Sequence, residues 1–454
     1  MVVMRLFLLT LLSWLTAAAS SSSWASKLQD LAPVINSLFP QQGPITSQIL
    51  QTFLEPNEAN IARNSYVYRE GTSLRLLGDP WTGSGANVYW LGVDENVIPP
   101  AGQPFYAPTS ASYPTKGRIT EVMATLVAMG AKLIRSHTLG VSTGNPLSLL
   151  PSPGKYNEAA FDTMDWAIFQ ARQHGLRIFA PLTDNYDYYH GGKFNFLRWA
   201  GFNISGNTNP IPSDTIQFYT NDTVIALFRD YITHLMTHVN NYTGISYADD
   251  PTIIGYETGN ELGGLVFGDK NVSIEWTREI CQLIKKLGPN KLCIDGTYGV
   301  NTAAFNVSEI DIFSDHFYPL NNTKLRNDIA SVESADRVYI AGEFDWTGDR
   351  GDSLQSFYDI ILAQQNQTKS VVVGSTFWSL FAHDVPDCTK FVNHSDGLAL
   401  QYGNPLNTAK SNTQISTIRK HYFAMQNITV DNYLPAVPCP HNFVPGYEAE
   451  YTYF

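Results

Sequence analysis

Eight short runs rich in β-branched and aromatic residues recur along this chain: "ANVYWLGVD", "KLIRSH", "RIFAPLT", "TIIGYETG", "KLCIDGT", "IDIFSDHF", "VYIAGEFDW" and "VVVGSTFWSL". Between most of them lie segments such as "RITEVMATLVAMG", "AAFDTMDWAIFQARQHG" and "TVIALFRDYITHLMTHVNNY", with apolar residues at helical spacing. Near-continuously apolar strands need cover on both faces, and helices between them supply it. Eight such repeats predict an α/β fold, a closed (β/α)8 TIM barrel over about residues 80–426, rather than an open sheet. The fifth connection, "YGVNTAAFNVSE", has room only for a short helix. Around the barrel we expect an N-terminal extension over 20–79 with a hairpin in "SYVYREGTSLRLLG", and a short C-terminal tail over 427–454 packed on the barrel.

The first 19 residues read as a secretory signal peptide: an early Arg5, an apolar run too short to span a membrane, then small residues at Ala17, Ala18 and Ala19. The end, "PGYEAEYTYF", has no lipid-anchor pattern. An extracellular protein with no membrane attachment after cleavage is expected, with N-linked glycans on the sequons at Asn203, Asn221, Asn241, Asn271, Asn306, Asn321, Asn366, Asn393 and Asn427. Four cysteines permit three pairings, and Cys281–Cys293 with Cys388–Cys439 closes the more local loops. A net charge of −12 is a poor footprint for nucleic acid and suits a neutral partner such as a polysaccharide or oligosaccharide.

In a (β/α)8 barrel the chemistry collects at the C-terminal ends of the strands. Here those ends carry Arg135 and His137 (second strand), "TDNYDYYHGG" with Tyr186 and Tyr188 (third), and Asn260 and Glu261 (fourth). His316 and Tyr318 follow the sixth, Glu343 and Trp346 the seventh, Trp378 the eighth, and Trp90 lies on the first. Two carboxylates on roughly opposite strands suit glycosidic-bond cleavage, one protonating the leaving oxygen and the other attacking the anomeric carbon or activating water. Aromatic rings supply flat apolar faces for sugar rings. Glu257, inside the fourth strand, reads as a structural partner for Arg135.

The segment "FYTNDTVIALFRDYITHLMTHVNNYTGISYADDPTIIGYETGNEL" (218–262) resembles the region before the acid/base glutamate in plant and fungal endo-β-1,4-mannanases of glycoside hydrolase family 5. "GANVYWL", "LIRSHTLG", "SDHFYP" and "AGEFDW" follow in that family's order. The resemblance implies Glu261 as general acid/base, Glu343 as nucleophile, and Arg135 and Tyr318 as supports that keep Glu343 ionised. It further implies Asn260 on the sugar 2-hydroxyl, His316 beside Glu261 and Trp378 beneath the attacked sugar; Trp90, Tyr186, Tyr188, Trp346 and His137, by their places along the strands and loops, are further candidate substrate contacts, and no cofactor or metal is expected. Departures from the family pattern fall at "LGG" (262–264), at Phe344–Trp346 and at "RSHTLG", all bordering the substrate subsites.

Three other readings stay open at this point. One is a β-glucanase or exo-acting β-glycosidase of the same fold. A second is a metal-dependent barrel hydrolase, disfavoured because strand one carries no His-x-His. The third is a silent carbohydrate-binding scaffold, disfavoured because both glutamates are present.

Overall fold

The computed structural model describes residues 61–208, 212–264, 272–365, 367 and 369–440. The leader, the extension up to residue 60, the sequons at Asn271 and Asn366, and the tail beyond 440 lie outside the described residues. The chain divides into two compact units, Met1–Arg63 and Asn64–Phe454, and the strands among the described residues belong to the second.

Eight parallel strands close into a barrel: β1 Gly85–Asn87, β2 Leu133–Arg135, β3 Arg177–Pro181, β4 Ile253–Glu257, β5 Leu292–Asp295, β6 Ile312–Phe317, β7 Val338–Phe344 and β8 Val372–Trp378. Each pairs with its neighbours in sequence, and β8 closes on β1 through Thr376–Trp378 against Gly85–Asn87. The helices on the outside are α1 Lys116–Ala128, α2 Phe161–Gln173, α3 Lys193–Trp199, α4 Asp222–Thr237, α5 Ile274–Leu287, α6 Asn322–Ser334, α7 Leu354–Gln364 and α8 Ala409–Ala424. The fifth connection has only the 3-10 turn Thr302–Asn306, as its short sequence demands.

Local chemistry starts these helices where they start. Thr115, Asn221, Ser273, Asn321, Ser353 and Thr408 each accept a backbone N–H of the first turn through their side chain, which is worth about 1 kcal/mol per helix. The strands are buried on both faces, which is why they read as apolar runs without alternation. Gly255 in β4 is required by closeness: a Cβ there would lie 2.2 Å from the Leu292 carbonyl oxygen of β5.

The hairpin runs Val67–Glu70 against Ser73–Leu76, turning at Gly71, and continues into a third antiparallel strand, Asp79–Trp81. Leu74 and Val67 pack with Leu133, Phe179, Ile254, Ile312 and Val373 at the N-terminal ends of the barrel strands. Uncovered, that ring would face water, and each such side chain is worth roughly 1.5–3 kcal/mol when buried. The hairpin is therefore the floor of the barrel and belongs to its compact unit, which begins at Asn64. Disulfides join Cys281 of α5 to Cys293 of β5, and Cys388 to Cys439. Among the described residues no helix is long and apolar enough to cross a membrane.

Candidate active site

The ladder of barrel hydrogen bonds does not stop at the end of β4. Asn260 N donates to Thr183 O, Asn185 N to Asn260 O, Leu262 N to Gly296 O and Tyr298 N to Leu262 O. Glu261 is thus gripped on either side by the segments following β3 and β5. It sits in the left-handed region at φ 52°, and Gly263 follows at φ 74°. That conformation costs a non-glycine residue of order 1–3 kcal/mol, a strain stored where the carboxylate must be aimed. The glycine-rich spelling "GNELGG" is the signature of this bend.

Glu343 lies within β7, and a register shift in β6 sets His316 opposite it. His316 Nδ1 is 2.7 Å from Glu261 Oε1 and 3.6 Å from Glu343 Oε2. One oxygen of each glutamate and this nitrogen all lie within 4.8 Å of one another. Arg135 Nη1 donates to Glu343 Oε1 and Tyr318 Oη to Glu343 Oε2 at 3.1 Å, while Tyr186 Oη donates to Glu261 Oε2 at 2.5 Å. Arg135 is fully buried and binds Glu257 through Nε (2.9 Å) and Nη2 (2.6 Å), the structural pairing expected of Glu257. Its Nη2 also donates to Asn260 Oδ1 at 3.0 Å, and Asn260 Nδ2 donates to Asp184 Oδ1 at 3.2 Å.

Burial raises the Glu343 carboxyl above the usual range, the charges of His316 and Arg135 oppose it, and the neighbouring Glu261 charge adds to it. Burial would raise Glu261 too, but hydrogen bonds from His316 and Tyr186 outweigh it and hold that carboxyl low. For His316 the charges of the two glutamates overcome burial and raise its pKa. In the substrate-free site the proton of the Glu261–His316 pair therefore sits on the imidazole. This reverses the simple expectation of a raised acid beside a lowered nucleophile, because His316 takes the proton that Glu261 alone would carry. His137, whose Nε2 is 3.6 Å from Glu343 Oε1, is kept neutral by burial and by the Arg135 charge. Glu261, His316 and Glu343 have the spacing of a cation site, but Arg135 and a protonated His316 already supply positive charge there. The other such cluster, Glu121, His383 and Cys439, has its cysteine committed to a disulfide.

These groups open on a cleft of about 490 Å³ lined by Tyr89, His137, Tyr186, Tyr188, Asn260, Glu261, Tyr318, Glu343 and Trp378. Two of the sequence candidates lie elsewhere. Trp90 is fully buried, with its Nε1 on the Leu380 carbonyl and the Arg118 guanidinium 3.9 Å from its ring centre. Trp346 is buried with Nε1 on the Leu398 carbonyl at 2.7 Å. Both are core residues: each is buried with its indole N–H on a backbone carbonyl, and neither lines the cleft. The aromatic wall at β1 is instead Tyr89, stacked on Trp378 at 5.0 Å. Sequence reasoning also missed Glu95, Asp184, His190, His394 and Asp396, all of which line the cleft. Asp184 and His190 stood inside the quoted run after β3. The other three come from connecting loops with no spacing to betray them.

A closed parallel barrel with Asn-Glu beyond β4 and a second glutamate in β7, at one mouth, defines the barrel class in which retaining glycoside hydrolases are built. The chain belongs to glycoside hydrolase family 5: the model described as GH family 5 beta-mannosidase-like matches residues 64–354. It is similar to mannan endo-1,4-beta-mannosidase 1 of Oryza sativa subsp. japonica, 28% identical over 288 residues, covering 62% of this chain and 61% of that protein. It is also similar to mannan endo-1,4-beta-mannosidase 1 of Arabidopsis thaliana, 27% identical over 240 residues, covering 52% of each. The matches thus span less than two thirds of the length of these relatives. Among solved structures, the endo-1,4-beta-mannanase from Rhizomucor miehei shares the fold with a TM-score of 0.61 at 20% identity, over 80% of this chain and 100% of that one.

Proposed function

We propose that this protein is a retaining β-glycoside hydrolase that cleaves β-1,4-linked mannan by double displacement, in the manner of the endo-mannanases it resembles. The observation that carries the reading is the approach of Glu261 and Glu343 to within 4.8 Å, oxygen to oxygen. Retaining enzymes hold their carboxyl groups ~5–5.5 Å apart, whereas inverting ones leave room for a water at ~6.5–9.5 Å.

In this reading the sugar at the point of cleavage lies against Trp378, with its 2-hydroxyl near Asn260. His316 returns its proton to Glu261 across their hydrogen bond, and Glu261 passes it to the glycosidic oxygen. Glu343 bonds to the anomeric carbon as the leaving sugar departs. The ester neutralises Glu343, so Glu261 is left as an anion and takes a proton from the water that releases the product. Arg135 and Tyr318 keep the Glu343 oxygens aimed and bear their charge before attack.

The surrounding features fit an extracellular role: the leader-like first 19 residues, two disulfides, and sequons exposed at Asn203, Asn241, Asn306, Asn321, Asn393 and Asn427. In this organisation residues 80–426 are the catalytic barrel, preceded by the extension over 20–79 and followed by the tail.

The test compares hydrolysis of mannan, glucomannan and β-glucan by the wild type with that by two variants. Glu343→Ala should lower turnover about ten-thousandfold or more, the usual cost of losing a group in the covalent step. Glu261→Ala should keep a fast first step on aryl glycosides with good leaving groups. A product of inverted anomeric configuration, by NMR of the fresh hydrolysate, would overturn the double displacement.

A further inference from the structure

The cleft runs on past the catalytic pair to charged side chains that the mechanism does not use. Glu95, in the segment after β1, and His394, Ser395 and Asp396, in the loop after β8, line the same cavity as Glu261 and Glu343. His394 bridges the two segments, with Nε2 3.4 Å from Glu95 Oε1 and Nδ1 2.9 Å from Asp396 Oδ2. Burial pulls the pKa of His394 down, but the Asp396 and Glu95 carboxylates beside it overcome that and push it up to about 9.

The two carboxylates are not equivalent. Asp396 is fully engaged: Oδ2 accepts Trp378 Nε1 at 2.7 Å, and Oδ1 accepts Leu398 N at 2.8 Å. It holds the indole whose ring is backed by Tyr89, and Tyr89 in turn meets His394 edge-on at 5.5 Å. Glu95 spends one oxygen on His394. Its Oε2 has no partner among the described residues, and its side chain is 34% exposed at the cleft wall. A carboxylate oxygen without a partner, fixed in place by a cationic bridge, is a strong acceptor for hydroxyl groups.

Which sugar it would meet follows from the polarity of the site. The leaving group departs on the side of Glu261, after β4. The attacked sugar lies against Trp378, at the end of β8. The rest of the glycone must then run on from β8 toward β1, where Glu95 and the loop carrying His394 stand. A cavity of about 490 Å³ is in the range of sites that enclose a whole small ligand, which leaves room beyond a single sugar ring.

We propose that Glu95 accepts hydroxyl groups of the second glycone sugar of a neutral β-linked saccharide, and that the His394–Asp396 bridge ties occupancy of that subsite to the position of Trp378. This rests on the hydrolase reading above. It makes Glu95 a residue that selects for glycones of two or more sugars, and the cleft longer on the side away from the leaving group than the catalytic residues alone require.

The test is Glu95→Gln, which keeps the shape and removes the charge, assayed on aryl β-mannoside (one glycone sugar) and aryl β-1,4-mannobioside (two). The ratio of the two kcat/KM values, two-sugar over one-sugar, should fall about tenfold, the worth of one charge-assisted hydrogen bond, with KM carrying most of the change. An Asp396→Asn variant, acting through Trp378, should instead depress both substrates together. Equal loss on both substrates for Glu95→Gln, or an unchanged ratio with the melting temperature retained, would overturn the subsite. If the wild type turned over neither compound nor any of the three polysaccharides, the hydrolase reading and the subsite would fall together. If it preferred glucose-configured aryl glycosides, only the mannan assignment would fall, and the same one-against-two comparison on glucosides would still decide Glu95.

Discussion

A single imidazole decides how the two glutamates divide their labour. His316 lies within hydrogen-bond reach of Glu261 and close to Glu343, and its raised pKa marks it as the resting holder of the proton that the leaving group needs. Three coupled groups titrate as a set, so the pH profile belongs to the set. Activity is lost on the alkaline side when the shared proton leaves, and on the acid side when Glu343 takes one up. Both limbs therefore stand higher than ordinary for their groups, the alkaline limb above about 6.5 and the acid limb above about 4.3. In His316→Asn only Glu261 remains to hold the proton, and the alkaline limb of kcat/KM should move down, toward the carboxylate range. A limb that stayed in place would assign that titration to another group. The identities and strand positions of Glu261, Glu343, Arg135 and His316 were legible because strand ends are where this fold puts its chemistry. Which residue holds the resting proton was not, since it depends on a 2.7 Å contact between residues 55 positions apart.

Elements differ in how much of their role is written locally. The β4 run could be read as a strand from composition alone. Its neighbour relations, with the bend clamped by the segments after β3 and β5, come from the closed barrel. The same holds for α8, whose helical pattern hides an unusual histidine. His421 is buried, stacked on Tyr358 at 3.8 Å, with neither ring nitrogen bonded among the described residues, and burial lowers its pKa to about 3. Below about pH 6.5 an unfolded chain takes up a proton there that the fold refuses, so stability is lost as pH falls from about 6.5 toward 3. At pH 5 the loss is about 2 kcal/mol. His421→Phe should keep the stacking and flatten this part of the stability profile, as read from urea unfolding at pH 7 and pH 5. An identical slope in the variant would show that His421 is not the group responsible.

At the scale of the whole molecule, the hairpin closes the floor of the barrel and two disulfides tie chain segments together. The Cys281–Cys293 bridge spans 12 residues between α5 and β5, and Cys388–Cys439 spans 51. By loop entropy the first is worth about 3 kcal/mol and the second about 4. A Cys388→Ser, Cys439→Ser double variant should therefore lose more stability in guanidinium unfolding than the Cys281→Ser, Cys293→Ser pair. The opposite order would mean that the 51-residue loop opens without loss to the rest of the unit. By itself the sequence determined the eight-fold alternation and the class of fold, because both rest on periodicity; it set Glu261 and Glu343 at strand ends and left three cysteine pairings open. Tertiary structure alone decided that Tyr89 rather than Trp90 faces the cleft, that Trp346 is core, and that Glu95, His394 and Asp396 meet beside Trp378. Those outcomes depend on loops brought together by barrel closure, and a loop's neighbours in space leave no period in its sequence.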